Sequence, residues 1–280
     1  MNFDKIKEKL FSEDDSDVFT ALSNIENNPD EGYGKILLER IKKEKNNFIV
    51  IKIMEIASKI ESDELIEGIF RNLKNTKDEY IKATLIKLLS NSTEKDYKEF
   101  IKTNLFNQDD RVRANAVECV ENLKMKEAVP DLVKLLKDNS ARVKINAAKA
   151  LYRFGDERML KVFEKLLYSK DRFVGESVLH TLKVIGGEKT YAILKDFLDN
   201  CKNERLTIKL LDIFADIGKE DVIHLIRQRT TGHNPKVQES AQFAIKRILK
   251  RQNDIKRCSS CGSVSKAGMK FCGSCGKSLV

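Results

Sequence analysis

The residues best suited to chemistry in this 280-residue chain lie at its end. Of six cysteines, Cys258, Cys261, Cys272 and Cys275 fall in the closing stretch CSSCGSVSKAGMKFCGSCGKSLV, while Cys119 and Cys201 stand alone upstream. The four form two CxxCG pairs with ten residues between them, enough for a short hairpin with residues 265–268 as its turn. Each CxxC wraps one side of a metal ion. Gly262 and Gly276 let the chain take positive φ, so backbone N–H groups can point at the thiolates. Four thiolates around one ion make the closed tetrahedral set of a structural zinc site, with no position open for catalysis. The apolar content of the segment is little more than Val264, Met269, Phe271, Leu279 and Val280. So small a piece cannot fold on hydrophobic burial, whereas structural zinc supplies about 10–16 kcal/mol in small peptides. The expectation is one structural Zn2+ on these four ligands.

Other readings of the sulfur fit less well. A thiol–disulfide motif wants one CxxC beside a βαβ unit, and the sequence offers none. Iron on four thiolates belongs to longer domains. The run CGKS ends like a phosphate loop, but the first glycine of that motif would fall at Phe271. The segment is similar to the short zinc ribbons that close many bacterial and archaeal proteins. The likeness rests on CxxCG, a ten-residue hairpin, Phe271 before the third cysteine and a second CxxCG. Ser259 and Gly273 stand where that family often has proline.

The remaining reactive side chains read as structural. Cys119 lies on the inward side of a helix beside Val120, as a small core residue, and Cys201 sits at a helix end. The three histidines, His180, His224 and His233, belong to no HExxH motif or His–Glu pair. The sequence therefore supplies no catalytic residue. The positions equivalent to His180 are Glu118, Lys149 and Asp212, which read as a surface ladder of charge. Asn115, Asn146 and Ser177 form a second polar row, placed to satisfy backbone groups between repeats or to line an inner face.

Those equivalences come from a period. RVRANAVECVENL from Arg111 and RVKINAAKALYRF from Arg142 lie 31 residues apart. Apolar positions recur in step: Val112, Val143, Val174, Leu206, Val237, then Ala116, Ala147, Val178, Leu210, Ala241. Val120, Leu151, Leu182, Phe214, Ile245 follow, then Leu123, Phe154, Ile185, Ile217, Ile248. The spacing i, i+4, i+8, i+11 is one face of a helix. Upstream, Ile81, Val50 and Phe19 continue the series. A second helix precedes each of these, as in AVPDLVKLLKD with Pro130 in its first turn. Asp109-Asp110 and Asn234-Pro235 read as helix starts, and Gly155, Gly186 and Gly218 as left-handed helix ends. Two antiparallel helices per unit, none able to bury its face alone, mean a stacked solenoid. The expected fold is all-α, an α-solenoid of about eight helical hairpins over residues 1–250, a basic linker at 251–257 and a zinc ribbon at 258–280.

The pattern DxVRxNA, then F/I-G, then AVPxLxxLLxD resembles HEAT repeats, most closely those of the phycobilisome-lyase type, with the best match from Asp109 to about Asp199. The resemblance implies a helical scaffold for a partner and no particular chemistry. Some HEAT-repeat enzymes, such as deoxyhypusine hydroxylase, hold iron with His–Glu pairs on successive repeats. This sequence lacks those residues, and that activity is not carried over.

Charge narrows the partners. The formal net charge is +9, of which +8 lies from Phe243 onward. Lys246, Arg247, Lys250, Arg251, Lys256, Arg257, Lys266 and Lys270 make this end a candidate polyanion surface. Within the repeats, Arg111, Arg113, Arg142, Lys144, Lys149 and Arg153 form a basic cluster that would suit an acidic partner. No apolar run is long enough to span a membrane and no secretory signal is seen, which points to a reducing, cytoplasmic setting. The expectation is a non-enzymatic scaffold binding protein partners. The alternatives are a nucleic-acid or ribosome-associated factor using the basic tail, and a lyase-like or enzyme-accessory protein.

Overall fold

A computed structural model describes every residue except 61, 92–94, 233–234, 254, 267–268 and 279–280, and describes the backbone alone at 91, 95, 172, 252–253, 255–257 and 264–266. His233, Asn234, Leu279 and Val280 thus lie outside the described residues. Among those described are sixteen α-helices, in two compact units, Met1–Glu157 and Arg158–Val280.

The first unit holds five helix pairs. They are α1 (Phe3–Leu10) with α2 (Asp15–Asn27), α3 (Gly34–Lys43) with α4 (Asn47–Ala57), α5 (Asp63–Leu73) with α6 (Glu79–Leu88), α7 (Lys95–Thr103) with α8 (Asp110–Asn122), and α9 (Val129–Leu135) with α10 (Ala141–Arg153). The second unit holds three: α11 (Met159–Leu167) with α12 (Arg172–Ile185), α13 (Glu188–Asn200) with α14 (Glu204–Ile217), and α15 (Ile223–Thr230) with α16 (Pro235–Asn253). Within the first unit the second helices stack in order, α2 on α4, α4 on α6, α6 on α8 and α8 on α10; within the second, α12 lies on α14 and α14 on α16. The fold is the α-solenoid that the periodicity calls for.

Local chemistry starts these helices. Asp14, Asn46, Asp78, Asp109, Asp171 and Asn203 each stand just before a second helix and accept an N–H of its first turn. That satisfies donors no helix can pair internally. Ser140 occupies the same place before α10 without a side-chain bond.

Packing follows the register from Val112 onward. Val112, Ala116, Val120, Val143, Ala147 and Leu151 are buried, as are Val178, Leu182, Leu210 and Phe214. The fourth position of each set, Leu123, Phe154, Ile185 or Ile217, is only half-buried, because it ends its helix; Ile248, inside the longer α16, is fully buried. Upstream the register corrects the expectation. The caps Asp14, Asn46 and Asp78 are 32 residues apart. The series therefore runs through Ile49, Ile53, Ala57 and Ile60, all buried. Val50 is buried off that line, and Phe19 is 37 % exposed, its helix burying Val18, Ala21, Leu22 and Ile25 instead.

Helix ends depart from expectation at one glycine. Gly155 and Gly186 are left-handed, with φ of +105° and +68°. Gly218 is extended, with φ −61° and ψ 142°. It is a close-packing residue: a Cβ there would lie 2.5 Å from the Phe214 carbonyl and 2.8 Å from Ile248 Cδ1. The left-handed place after α8 is taken by Lys124, at φ +53°.

The C-terminal end also differs. Residues 251–253 complete α16, and β1 (Ile255–Arg257) pairs antiparallel with β2 (Val264–Lys266), so the described residues of 251–257 are helix and strand. The stretch between the cysteine pairs is not the hairpin turn. The first CxxCG is itself the turn between β1 and β2, and the second sits inside a bridge between Phe271 and Ser278. Residues 265–266 belong to β2, while 267–268 lie outside the described residues.

Candidate metal centre and basic surfaces

The two CxxCG turns fold alike. The Gly262 N–H donates to the Cys258 carbonyl at 2.9 Å and the Gly276 N–H to the Cys272 carbonyl at 2.8 Å. Five residues on from each first cysteine the pattern closes, with the Cys258 N–H on the Ser263 carbonyl and the Cys272 N–H on the Lys277 carbonyl. Gly262 and Gly276 have φ of +70° and +71°, where a side chain would be strained. The repeated glycine is thus a requirement of the turn, and the turn sets both sulfurs of its pair on one side.

The result is a four-sulfur cluster. The Sγ atoms of Cys258, Cys261, Cys272 and Cys275 all lie within 4.8 Å of one another. Cys258–Cys275 and Cys261–Cys272 are each separated by 3.6 Å. Tetrahedral thiolates bonded at about 2.3 Å would stand about 3.8 Å apart, close to these two separations, so the cluster is compatible with one ion. Cys258 and Cys272 are buried, each 3 % exposed, and Cys261 and Cys275 face solvent. The Ser263 hydroxyl lies 3.0 Å from Cys261 Sγ and 2.9 Å from Cys272 Sγ. Together with the N–H groups of Cys275 and Ser274, it holds the Cys272 thiol down at about 5. At Cys275 the Lys277 N–H pulls downward, but the crowding thiols outweigh it and push the group up to about 12. Four sulfurs this close ionise together only around a cation. Sequence reasoning missed Ser263, since a serine after a glycine carries no signal of its own.

The basic cluster of the first unit is built into the repeats. Arg113 pairs with Asp138 at 2.8 Å and donates to the carbonyls of Asn107 and Gln108. Burial pushes the Asp138 carboxyl up, but the hydrogen bond from Arg113 and its neighbours bring it below the usual range. Lys149 and Arg153 both reach Glu121, whose side chain is 3 % exposed. Lys144 lies near Asp138 and helps to lower its carboxyl. Only Arg111 and Arg142 line an open groove, of about 950 Å3, with Ile66, Tyr80, Asn115 and Glu118. There Arg111 is fixed by Asp109 at 2.6 Å and stacks 5.1 Å from the Tyr80 ring centre. Arg142 is held by the Asn115 amide oxygen at 3.1 Å and by Glu118 at 3.3 Å.

The two polar rows resolve differently. Asn115 donates to the Ala83 carbonyl at 2.9 Å and Asn146 to the Ala114 carbonyl at 3.4 Å, each crossing to the preceding second helix. Ser177 caps a carbonyl of its own helix, that of Phe173. In the row of Glu118, Lys149, His180 and Asp212, the charges pair off the row: Glu118 with Arg142, Lys149 with Glu121. His180 and His224 are exposed. Cys119 is buried and donates to the Ile86 carbonyl at 3.0 Å, and burial pushes its thiol up to about 12. Cys201 is buried at the end of α13.

At the C-terminal end the basic residues divide. Arg251 donates to the carbonyls of Phe214, Ala215, Asp216 and Gly218, closing the end of α14. Arg247 pairs with Asp216 at 3.5 Å and stacks on Phe243. Lys246 and Lys250 line a cleft between α15 and α16. Lys270 is exposed, and the side chains of Lys256, Arg257 and Lys266 lie outside the described residues.

With this geometry in hand, known proteins agree on the fold. The HEAT repeats family matches residues 99–183. No curated protein matches the sequence significantly. Among solved structures, Escherichia coli YibA superposes with a TM-score of 0.53 at 16 % identity, covering 89 % of this chain and 93 % of that one. The CpcE–CpcF complex of phycocyanin lyase from Nostoc sp. PCC7120 gives 0.55 at 14 % identity, covering 88 % and 94 %. At these identities the likeness is one of fold: a HEAT-repeat solenoid, here ending in a four-cysteine cluster that can hold a metal.

Proposed function

We propose that this chain is a non-catalytic scaffold in a reducing, cytoplasmic setting, whose HEAT-repeat surface receives a protein partner. Its ribbon, held by one structural zinc ion on Cys258, Cys261, Cys272 and Cys275, adds a second contact. The observation that carries the reading is the groove along the first unit. Its two arginines are fixed before any partner arrives, Arg111 by Asp109 and Tyr80, Arg142 by Asn115 and Glu118. Groups ordered in advance bind without the entropy cost of ordering them. Among the described residues, no histidine or cysteine lines the groove. The zinc assignment draws on sulfur separations that suit a tetrahedral ion and on four ligands that leave it no open position.

The nucleic-acid reading of the tail has less to draw on, because Arg247 and Arg251 are engaged within the fold. A lyase-like or enzyme-accessory role rests on the fold shared with the phycocyanin lyase pair, and no groove residue adds to it. Capture with the tagged full chain from its native lysate, after nuclease treatment, tests the proposal. A protein retained in stoichiometric amount, and lost from an Arg111→Glu/Arg142→Glu variant that still folds, supports it. Retention that depends on nucleic acid contradicts it.

A further inference from the structure

Within the second unit each helix pair is overlaid by the next, α13 by α15 and α14 by α16, whereas among the described residues no helix pair overlies α15 and α16. The consequence shows at Ile245. Its counterparts Leu182 and Phe214 are fully buried, but Ile245 is half-exposed. With Ala241 and Leu249 it forms an i, i+4, i+8 stripe along α16, and Leu249 is 40 % exposed. The stripe floors a cleft of about 890 Å3 between α15 and α16.

The rim of that cleft has one sign of charge. Among the described residues, Arg227, Lys246 and Lys250 line it and no acidic residue does. Among the described residues these three make no ion pair, unlike Arg247 and Arg251 on the other side of the same helix. An apolar floor between two helices receives the side-chain ridge of a third, and a cationic rim selects anionic groups beside that ridge. Phosphates would gain from the rim but not from the floor, which has no aromatic ring for a base to stack on.

We propose that the α15–α16 cleft docks an acidic amphipathic helix of a partner protein, which takes the position a ninth helix pair would fill. The cleft runs from Gln238 to Lys250, about 18 Å of helix, so the partner segment is about three turns long. It carries leucine-like residues at i, i+4 and i+7 with aspartate or glutamate on either side. This deepens the scaffold reading and rests on it, but it uses a surface distinct from the groove holding Arg111 and Arg142.

Fluorescence anisotropy on the full, zinc-loaded chain tests it with designed helical peptides of about 16 residues, four to five turns. The probe has leucines on one face and glutamates on the others. Its controls are a version with lysine for glutamate, a scrambled sequence of the same composition, and a short oligouridylate. The acidic amphipathic peptide is expected to bind about tenfold or more tighter than each control. Leu249→Glu, at an exposed site, is expected to weaken it about tenfold, and Lys246→Glu/Lys250→Glu to turn the preference toward the lysine peptide, with helical circular dichroism unchanged. The proposal is overturned if the acidic peptide does not bind, if the scrambled peptide binds as well, if Leu249→Glu changes nothing, or if oligouridylate displaces the peptide. Should native capture succeed while these peptide results fail, the scaffold reading stands and the cleft is not its helix site.

Discussion

Glu26 lies between two lysines, with Lys52 at 2.6 Å and Lys59 at 2.9 Å, and they hold its carboxyl at about 2 against an ordinary 4.5. Asp109 is lowered likewise, to about 2, first by Arg111. A carboxyl lowered by folding adds stability above its unfolded value and loses it as pH falls through the folded one. Urea midpoints should therefore drop between about pH 4.5 and 2, with a shallower drop in Glu26→Gln; an unchanged slope would remove Glu26 from the account. Lys124 carries a different cost, a left-handed backbone at φ +53° where its equivalents Gly155 and Gly186 have none of the Cβ penalty. Relief of about 1–2 kcal/mol, less about 1 kcal/mol for glycine's unfolded freedom, leaves Lys124→Gly stabilising by about 0.5 kcal/mol, readable as a shift in denaturant midpoint.

At the scale of elements, α16 is tied to α14 by Arg251 as well as by apolar contact. Its guanidinium meets four carbonyls at the end of α14, where helix dipole and unpaired acceptors favour a cation. Arg251→Ala should cost about 1–3 kcal/mol and speed hydrogen exchange at the end of α14, with Arg251→Lys restoring only part because an ammonium cannot fork across several carbonyls. Nothing in the sequence marked this arginine apart from its basic neighbours, since the residues it meets lie more than thirty positions away. The helical register was legible for the opposite reason: burial of Val112, Ala116 and Val120 repeats locally and at a fixed step. It blurred upstream, where the step lengthens and α4 is apolar nearly all round, so that Ile49 and Val50 both satisfy the pattern. Gly218 misled because glycine serves both a left-handed cap and a close contact, and only the position of Ile248 tells which. The convergence of the four cysteines was legible from spacing alone. The hairpin around them was not, because Gly268 between the pairs marks a turn as readily as Gly262 and Gly276 do, and only the strand pairing places the turn at the first CxxCG.

For the whole molecule, two sources of order are at work. The helix pairs fold by covering one another's apolar faces, as Leu151 and Phe214 do in their units. The segment from Cys258 onward has almost no such face, and in the proposed reading its order comes from a metal on the four convergent sulfurs. The scaffold reading depends on both, a helical surface to receive a partner and a closed, non-catalytic metal site to hold the ribbon. Elemental analysis of freshly reduced, full-length protein, beside a Cys272→Ser variant followed by circular dichroism, tests this most directly. The account predicts one zinc ion per wild-type chain, none retained by Cys272→Ser, and helical content and melting of the repeats unchanged in the variant. Wild-type protein without metal, or a variant whose helices melt along with the lost ion, would contradict it.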